Sequence, residues 1–600
     1  MSGYTETEYT RRFDWSTWSR LLRYLGAHRG RAVAMTAMMI LVAAIDVVQP
    51  FLTGWLVDRV IVPERFDRLG GYVALFSTLA IVQVVNIFCF IAIAGRVDTG
   101  ICYEIRREGF KKLQDLSFSY YDRTPAGWIM ARLTSDAHKL GDVVAWSLID
   151  ISWGSAYMLI MAVTMLIVNW KLALVSLAVI PPLVALALWF QKRILEGFRR
   201  VRRVNSQITG AFNEGITGAR TSKTLVREEA NSEEFQVLSS SMRRHSVRTA
   251  TLSSLLLPAV LTLGAVGTAL ALWRGGVGVV EGTGLTYGVL VSFLFATAGF
   301  FDPVMELSRV FADLQYAQAS AERVLTLLGE EPEVRDSADA DRRADDDPVR
   351  GSVRFEGVGF RYGSGEDVLR NFNLDVRPGE SIALVGETGS GKSTIVNLAC
   401  RFYEPVTGRI LIDGVDYRER SQHWLQSSLG YVLQTPHLFR GTVRDNIRYG
   451  RPDASDRDVE DAARVVGAHE FIRRLERGYD SEVGAGGSQL SVGEKQLISF
   501  ARAVLADPAI FVLDEATSSV DTETEERIRR AIHRVLAGRT SFIIAHRLST
   551  VREADRILVL DRGRVVESGS HEELMGRRGP YWALYVRQFR ENREARLLGA

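Results

Sequence analysis

The chain has 600 residues, a net charge of +2 and three cysteines, and its mean hydropathy is +0.03. That length exceeds one ordinary domain, the near-neutral charge makes no general case for nucleic-acid binding, and the widely spaced Cys89, Cys102 and Cys400 suit neither a disulfide framework nor a metal site. The neutral hydropathy averages an apolar first half and a charged second half.

No apolar segment with a small-residue cleavage site opens the chain, so no secretory signal is expected to be removed. Trp15, Trp18, Leu21, Leu22 and Leu25 recur at helical spacing and predict a short amphipathic helix within residues 1–31, lying along the inner leaflet. A membrane-crossing helix needs about 20 mostly apolar residues. Ala32–Val57, Tyr72–Ala94, Val143–Val168, Leu172–Gln191, Thr251–Trp273 and Leu285–Phe301 meet or approach that length, and the last continues as a helical pattern to Leu328. Six spans over residues 32–328 are expected. Basic residues gather before the first span (Arg20, Arg23, Arg29, Arg31), after the second (Arg106, Arg107, Lys111, Lys112) and after the fourth (Lys192, Arg193, Arg199, Arg200). By the positive-inside rule both termini are expected in the cytoplasm, with the chain in the inner, plasma membrane. The two long connections on that side read as helical extensions that reverse near Ser119–Gly127 and Glu214–Ser222, where Pro and Gly permit a turn. Asp46, Asp302 and Glu306 lie in or beside spans. A structural role for them is the expectation, and selection of cationic substrates is the alternative. Residues 329–350 are rich in acids and read as a solvated linker.

A soluble domain is expected over 351–590. The apolar run Ser381–Val385 leads into Gly386-Glu-Thr-Gly-Ser-Gly-Lys-Ser-Thr394, a Walker A loop. Its glycines let backbone amides close around phosphates at a helix N-terminus. Gly386, Glu387, Thr388, Gly389, Ser390, Gly391 and Thr394 are expected to line ATP, with Lys392 on the β- and γ-phosphates and Ser393 on Mg²⁺. A second apolar run, Ile510–Leu513, ends at Asp514-Glu515. Asp514 is expected to hold Mg²⁺, and Glu515 to polarise the attacking water as general base. Gln434 is placed to sense Mg²⁺ and that water, His546 to contact the γ-phosphate, and Tyr362 to stack on adenine.

Between the two Walker motifs stands Leu490-Ser-Val-Gly-Glu494, and after them Ser518-Ser-Val-Asp521. With Tyr362, Gln434, His546 and Ser481-Glu-Val-Gly484, this order resembles an ABC transporter half-subunit of the exporter type over nearly the whole chain. The resemblance implies an all-α six-helix transmembrane domain followed by an α/β P-loop NTPase domain. It further implies two such domains paired head to tail, with ATP between the Walker loop of one and the signature of the other. In that pairing Ser491 and Gly493 contact the partner's γ-phosphate, and Asp521 lies in the D-loop. The reversals near Ser119 and Glu214 resemble coupling helices. The family signature reads L-S-G-G-Q, so Val492 and Glu494 depart from it. A β-branched residue stiffens the loop and a carboxylate adds repulsion near phosphate. With the Walker residues intact, this asymmetry resembles the subunit of a heterodimeric exporter that brings the catalytic glutamate, its partner having an intact signature and an altered Walker B. A homodimer and an importer of the same architecture are the alternatives. The expected cargo is an amphipathic small molecule, drug or lipid, and no nucleic acid is expected as a partner.

Overall fold

The computed structural model describes residues 14–282, 284–336, 347–514, 522–544 and 551–587. The chain divides into two units, residues 1–115 with 124–330, and residues 116–123 with 331–600. The helices of the first half are α1 (Trp15–Ala27), α2 (Arg29–Leu56), α3 (Leu69–Asp115), α4 (Phe118–Arg123), α5 (Ala126–Ala131), α6 (Ala137–Leu177), α7 (Ile180–Thr217), α8 (Ala219–Thr224), α9 (Glu228–Val280), α10 (Tyr287–Gly299) and α11 (Phe301–Gly329). All but α4 belong to the first unit.

The expected amphipathic helix forms as α1. Asp14 caps it, accepting from the backbone N–H of Ser16 at 3.0 Å and of Thr17 at 3.2 Å. Hydrogen bonds from the Ser16 and Thr17 hydroxyls, with those backbone bonds, hold its carboxyl down to about 2. Trp18 and Leu21 are buried, and the Trp18 indole donates to Gln318 on α11 at 2.7 Å.

Among the described residues five helical stretches are long and apolar enough to cross a membrane: Arg29–Ile61, Phe66–Asp115, Ala126–Leu177, Glu228–Val280 and Tyr287–Gly329. The expected fourth span, Leu172–Gln191, is the one that differs. It is divided between the end of α6 and the start of α7, with Ala178 and Val179 outside both helices. Asn169 leaves the helical region (φ −158°, ψ 99°) and its side chain accepts from the N–H of Leu172 at 3.0 Å, so a new helix starts there, where the expected span begins. Pro181 and Pro182 then open α7, where their missing N–H groups cost least. Elsewhere the apolar runs continue as long rods. By helical rise, α3 and α9 extend roughly 70 and 80 Å. The second reversal falls at Gly218, between α7 and α8.

Lipid supplies no hydrophobic drive between membrane helices, so close packing and hydrogen bonds decide which pairs hold. At the end of α2, a Cβ on Gly54 would lie 2.2 Å from the carbonyl oxygen of Gly288 on α10. Asp58, in the π-helical turn Val57–Ile61, accepts from the Thr286 hydroxyl at 2.5 Å and the Gly288 N–H at 2.7 Å. Asp46 accepts from Gln83 at 2.6 Å and from the Trp153 indole at 3.0 Å, linking α2, α3 and α6. Arg309 pairs with Glu306 at 2.7 Å and with Asp150 at 3.0 Å. Asp46 and Glu306 therefore have structural partners. Asp302 instead lines a cavity of about 650 Å³ with Leu261, Thr268 and Phe301.

The second unit holds two sheets. The strands are β1 (Val353–Arg361), β2 (Asp367–Val376), β3 (Ser381–Gly386), β4 (Thr407–Ile412), β5 (Val415–Asp416), β6 (Leu429–Val432), β7 (Ile510–Asp514), β8 (Thr540–Ile544), β9 (Arg556–Asp561) and β10 (Arg564–Gly569). One sheet is antiparallel in the order β2-β1-β4-β5. The other runs β10-β9-β3-β8-β7-β6 and is parallel from β9 to β6. Ile382–Leu384, Phe511–Leu513 and Phe542–Ile544 are buried throughout, as central strands covered on both faces require. The helices that accompany them are α12 (Lys392–Ala399), α13 (Gln422–Gln426), α14 (Val443–Arg448), α15 (Asp456–Val465), α16 (His469–Arg474), α17 (Val492–Leu505), α18 (Thr522–Leu536) and α19 (His571–Arg577).

Candidate nucleotide site

In parallel α/β sheets, ligands gather at the carboxyl ends of the strands. β3 is central, and its end delivers Gly386 into the phosphate loop. Asp514 ends β7, in register with Ile544 of β8, which in turn aligns with Leu384 of β3. Gln434 follows β6 by two residues and is exposed. The Walker residues, Asp514 and Gln434 thus share one edge of one sheet. Glu515, Asp521 and His546 lie outside the described residues.

The loop is shaped for a phosphate chain. Gly386, Gly389 and Gly391 adopt φ of 156°, 84° and 101°. A Cβ on Gly386 would stand 2.3 Å from the Leu560 carbonyl oxygen, so only glycine fits there. Gly391 is the N-cap of α12 and supplies no side-chain cap, which leaves the first N–H groups of that helix to an incoming anion. The Lys392 ammonium donates to the carbonyls of Gly386 and Glu387, each at 2.8 Å. Burial pushes its pKa down, and the charge of Asp514 pulls it back up. The Ser390 hydroxyl is buried without a hydrogen-bond partner among the described residues. This orphaned oxygen, the lysine and the open helix end fit a polyphosphate. Ser393 is exposed and Asp514 half-buried. A hydroxyl, a carboxylate and the amide of Gln434 suit Mg²⁺, which takes few protein ligands and completes its shell with phosphate and water.

Tyr362 is 39% exposed. Its hydroxyl lies 3.0 Å from the Thr394 hydroxyl, and its ring meets Phe360 and Tyr403 edge-on at 4.8 and 5.1 Å. A base stacked on the open face of Tyr362 would therefore sit beside the phosphate loop.

The signature segment opens α17, and its departures take on a specific geometry. Ser491 is the N-cap, and its hydroxyl accepts from the Glu494 N–H at 3.3 Å. The Glu494 carboxylate accepts from the Ser491 N–H and the Ser491 hydroxyl, both at 2.9 Å. This is a capping box. Glu494 is thus tied to Ser491, a local role beyond the repulsion expected of its charge. Val492 is 46% exposed and Gly493 is buried. No hydrogen bond or ion pair joins Leu490–Glu494 to the Walker loop among the described residues.

Two arginines support the site and were not singled out from the sequence. Arg502 on α17 donates to the backbone carbonyls of Asn446 (2.9 Å) and His437 (3.1 Å) and to the Asn446 side chain (2.9 Å). It thereby fixes the signature helix to the stretch that follows Gln434. Arg401, just past α12, is fully buried and donates to the carbonyls of Tyr417, Arg420 and Arg335. Arg401 with Glu404 three residues on was the available signal, but such spacing is common on exposed helices.

Residues 33–304 match the ABC transporter transmembrane region family, and residues 369–518 match the ABC transporter family. The chain is 35% identical to "Uncharacterized ABC transporter ATP-binding protein YknV" of Bacillus subtilis, over 96% of this chain and 95% of that protein. It is 33% identical to an "ATP-dependent lipid A-core flippase" of Syntrophus aciditrophicus, over 97% of this chain and 96% of the other. A solved structure of a bacterial Atm1-family ABC exporter with ATP bound superimposes with a TM-score of 0.78 at 28% identity, covering 93% of this chain and 98% of that one. A helical membrane domain, a phosphate loop at the centre of an α/β sheet and these likenesses lead to one conclusion: the chain belongs to the ABC transporter family, as an ATP-binding, membrane-spanning half-transporter of the exporter type.

Proposed function

We propose that this chain exports an amphipathic small molecule, drug or lipid across the inner membrane, its termini cytoplasmic. It acts as one half of a heterodimer whose partner carries an intact signature and an altered Walker B. The observation that carries the reading is the contrast between an open phosphate loop around Lys392 and a signature in which Val492 and Glu494 stand where the family has glycine and glutamine.

In this reading residues 32–328 form the membrane domain, 329–350 the linker and 351–590 the ATPase domain. Tyr362 carries the adenine, and Gly386–Thr394 wrap the phosphates. Glu515 takes a proton from the attacking water as general base, with Gln434 and His546 holding that water and the γ-phosphate, and Asp521 lining the interface. Ser393, Gln434 and Asp514 would hold Mg²⁺, which when bound neutralises charge between the β- and γ-phosphates. Ser491 and Gly493 close the partner's nucleotide site, where turnover is slow. ATP bridging the two halves favours one membrane conformation, and hydrolysis releases it.

The test is purification of the chain alone and with whatever half-transporter accompanies it. The pair is expected to hydrolyse ATP and the lone chain to turn over slowly. Rapid turnover by the lone chain would show a homodimer. Glu515→Gln should cut hydrolysis by about 10²–10⁴-fold with ATP still bound, and near-normal turnover in that variant would refute the assignment.

A further inference from the structure

Several acids in or beside the spans are tied into the bundle. Asp46 accepts from Gln83 and Trp153, Asp58 from Thr286 and the Gly288 N–H, and Asp150 and Glu306 pair with Arg309. Asp302 makes no hydrogen bond or ion pair among the described residues. By helical rise it lies roughly 22 Å from Tyr287, within a hydrocarbon core about 30 Å thick. An acid at that depth is costly unless it faces a cavity or a ligand.

The backbone is interrupted at the same place. Helix α10 ends at Gly299 and α11 begins at Phe301. Pro303 has no N–H to give the Gly299 carbonyl, which accounts for the break. Gly299 also admits Tyr157 closely, since a Cβ there would stand 2.2 Å from the Tyr157 hydroxyl. In transporters, broken helices near the middle of the bilayer mark the places where ligands bind.

The cavity beside the break measures about 650 Å³, room for a drug-sized molecule. Leu261 and Leu272 of α9 give it an apolar wall, Thr268 adds a hydroxyl, and Asp302 is the one charged residue in its lining. Phe301 stands next to Asp302, and the tip of its ring fills the space that a Cβ on Gly264 would take, 1.6 Å from that position. The ring is thereby fixed beside the carboxylate. A carboxylate and an aromatic ring together attract a cation, the first by its charge and the second by its quadrupole. A bare metal ion asks for more oxygen ligands than one carboxylate and one hydroxyl. The apolar wall instead suits a cation carried on a hydrophobic body.

We infer that Asp302 and Phe301 form a binding site for the cationic group of the cargo, so that the exported molecule is an organic cation with an apolar body. This rests on the export reading and narrows its cargo class. A free lipophilic cation and the ammonium headgroup of a lipid share that chemistry.

The experiment uses the transporter, with any half that co-purifies, in phosphatidylcholine vesicles. Binding of tetraphenylphosphonium is compared with that of tetraphenylborate, an anion of the same shape, and protein-free vesicles correct for partition into lipid. ATP-driven movement of tetraphenylphosphonium and of a fluorescent phosphatidylethanolamine is followed alongside. Asp302→Asn is expected to weaken tetraphenylphosphonium binding by at least about tenfold, the scale of one lost charge at close range, and not to weaken tetraphenylborate binding. Asp302→Glu is expected to recover most of the loss. A merely structural role would weaken both ions alike, and that result overturns the inference. So does unchanged tetraphenylphosphonium binding in Asp302→Asn, or the absence of saturable tetraphenylphosphonium binding in wild type. Pumping of tetraphenylphosphonium supports a free cation as cargo; flipping of the phosphatidylethanolamine, with tetraphenylphosphonium bound but not pumped, supports the lipid headgroup. Movement of either in the direction of import overturns the export reading and leaves the cation site standing.

Discussion

Two helix N-termini in the ATPase domain, those of α12 and α17, are built to opposite plans. Each presents backbone N–H groups at the positive end of a helix dipole, the general recipe for holding phosphate. At α12 the cap is Gly391, left-handed and without a side chain, so the donors are left for a ligand. At α17 the cap is Ser491, and Glu494 closes the box. The second end has satisfied with its own side chains what the first reserves for a nucleotide. An anion arriving at α17 must compete with a carboxylate already in place. The difference teaches that the N-terminus of α17 carries an internal occupant, a box of the Ser-x-x-Glu/Gln kind that the unaltered signature L-S-G-G-Q is also able to close.

The contrast can be broken or sharpened by mutation. The largest effect is expected at the open end. Lys392→Ala should reduce ATP hydrolysis of the assembled transporter by at least about 10²-fold, the usual loss for one preorganised group on developing charge. A steady-state ATPase assay decides this, and turnover within a few fold of wild type would remove Lys392 from the site. A smaller effect is expected on stability at the closed end. Ser491→Ala should cost roughly 1 kcal/mol, as lost N-caps do, measured by thermal or denaturant unfolding of the ATPase domain within the full chain. The smallest effect concerns turnover. Restoring the family signature with Val492→Gly and Glu494→Gln together should change hydrolysis of the assembled transporter by less than about twofold, because in the proposed heterodimer the site that it closes lacks a competent base on the partner. A rise of about tenfold would mean that the signature, and not the partner, limits that site.

Much of this was legible in the sequence, for identifiable reasons. Uncharged runs such as Tyr72–Ala94 announce membrane helices because no polar alternative exists in lipid, and α3 extends through that run without interruption. The phosphate loop is legible because its glycines are required by backbone geometry, as the positive φ of Gly386, Gly389 and Gly391 shows. The fourth span turns at Ala178 and Val179, which are as apolar as their neighbours, and in the sequence only the Pro181-Pro182 pair just after them marks the new helix start. The Ser491–Glu494 box was readable in principle, since Ser-x-x-Glu before an apolar helix is its signature. Comparison with the family pattern drew notice to what those residues replace and away from what they bond to. The contact of Tyr403 with Asp122 spans 281 positions in the chain. No local pattern foretells such a pair, and only the fold reveals it.

The close approach of Gly54 and Gly288 has a mechanical meaning. With backbone against backbone at that point, and Asp58 tying the turn beyond α2 to the start of α10, the first and last spans are riveted at one end. Separating them there would leave the Gly288 N–H and the Asp58 carboxylate without each other. Any parting of the bundle along this seam would have to break a backbone contact together with both hydrogen bonds of Asp58.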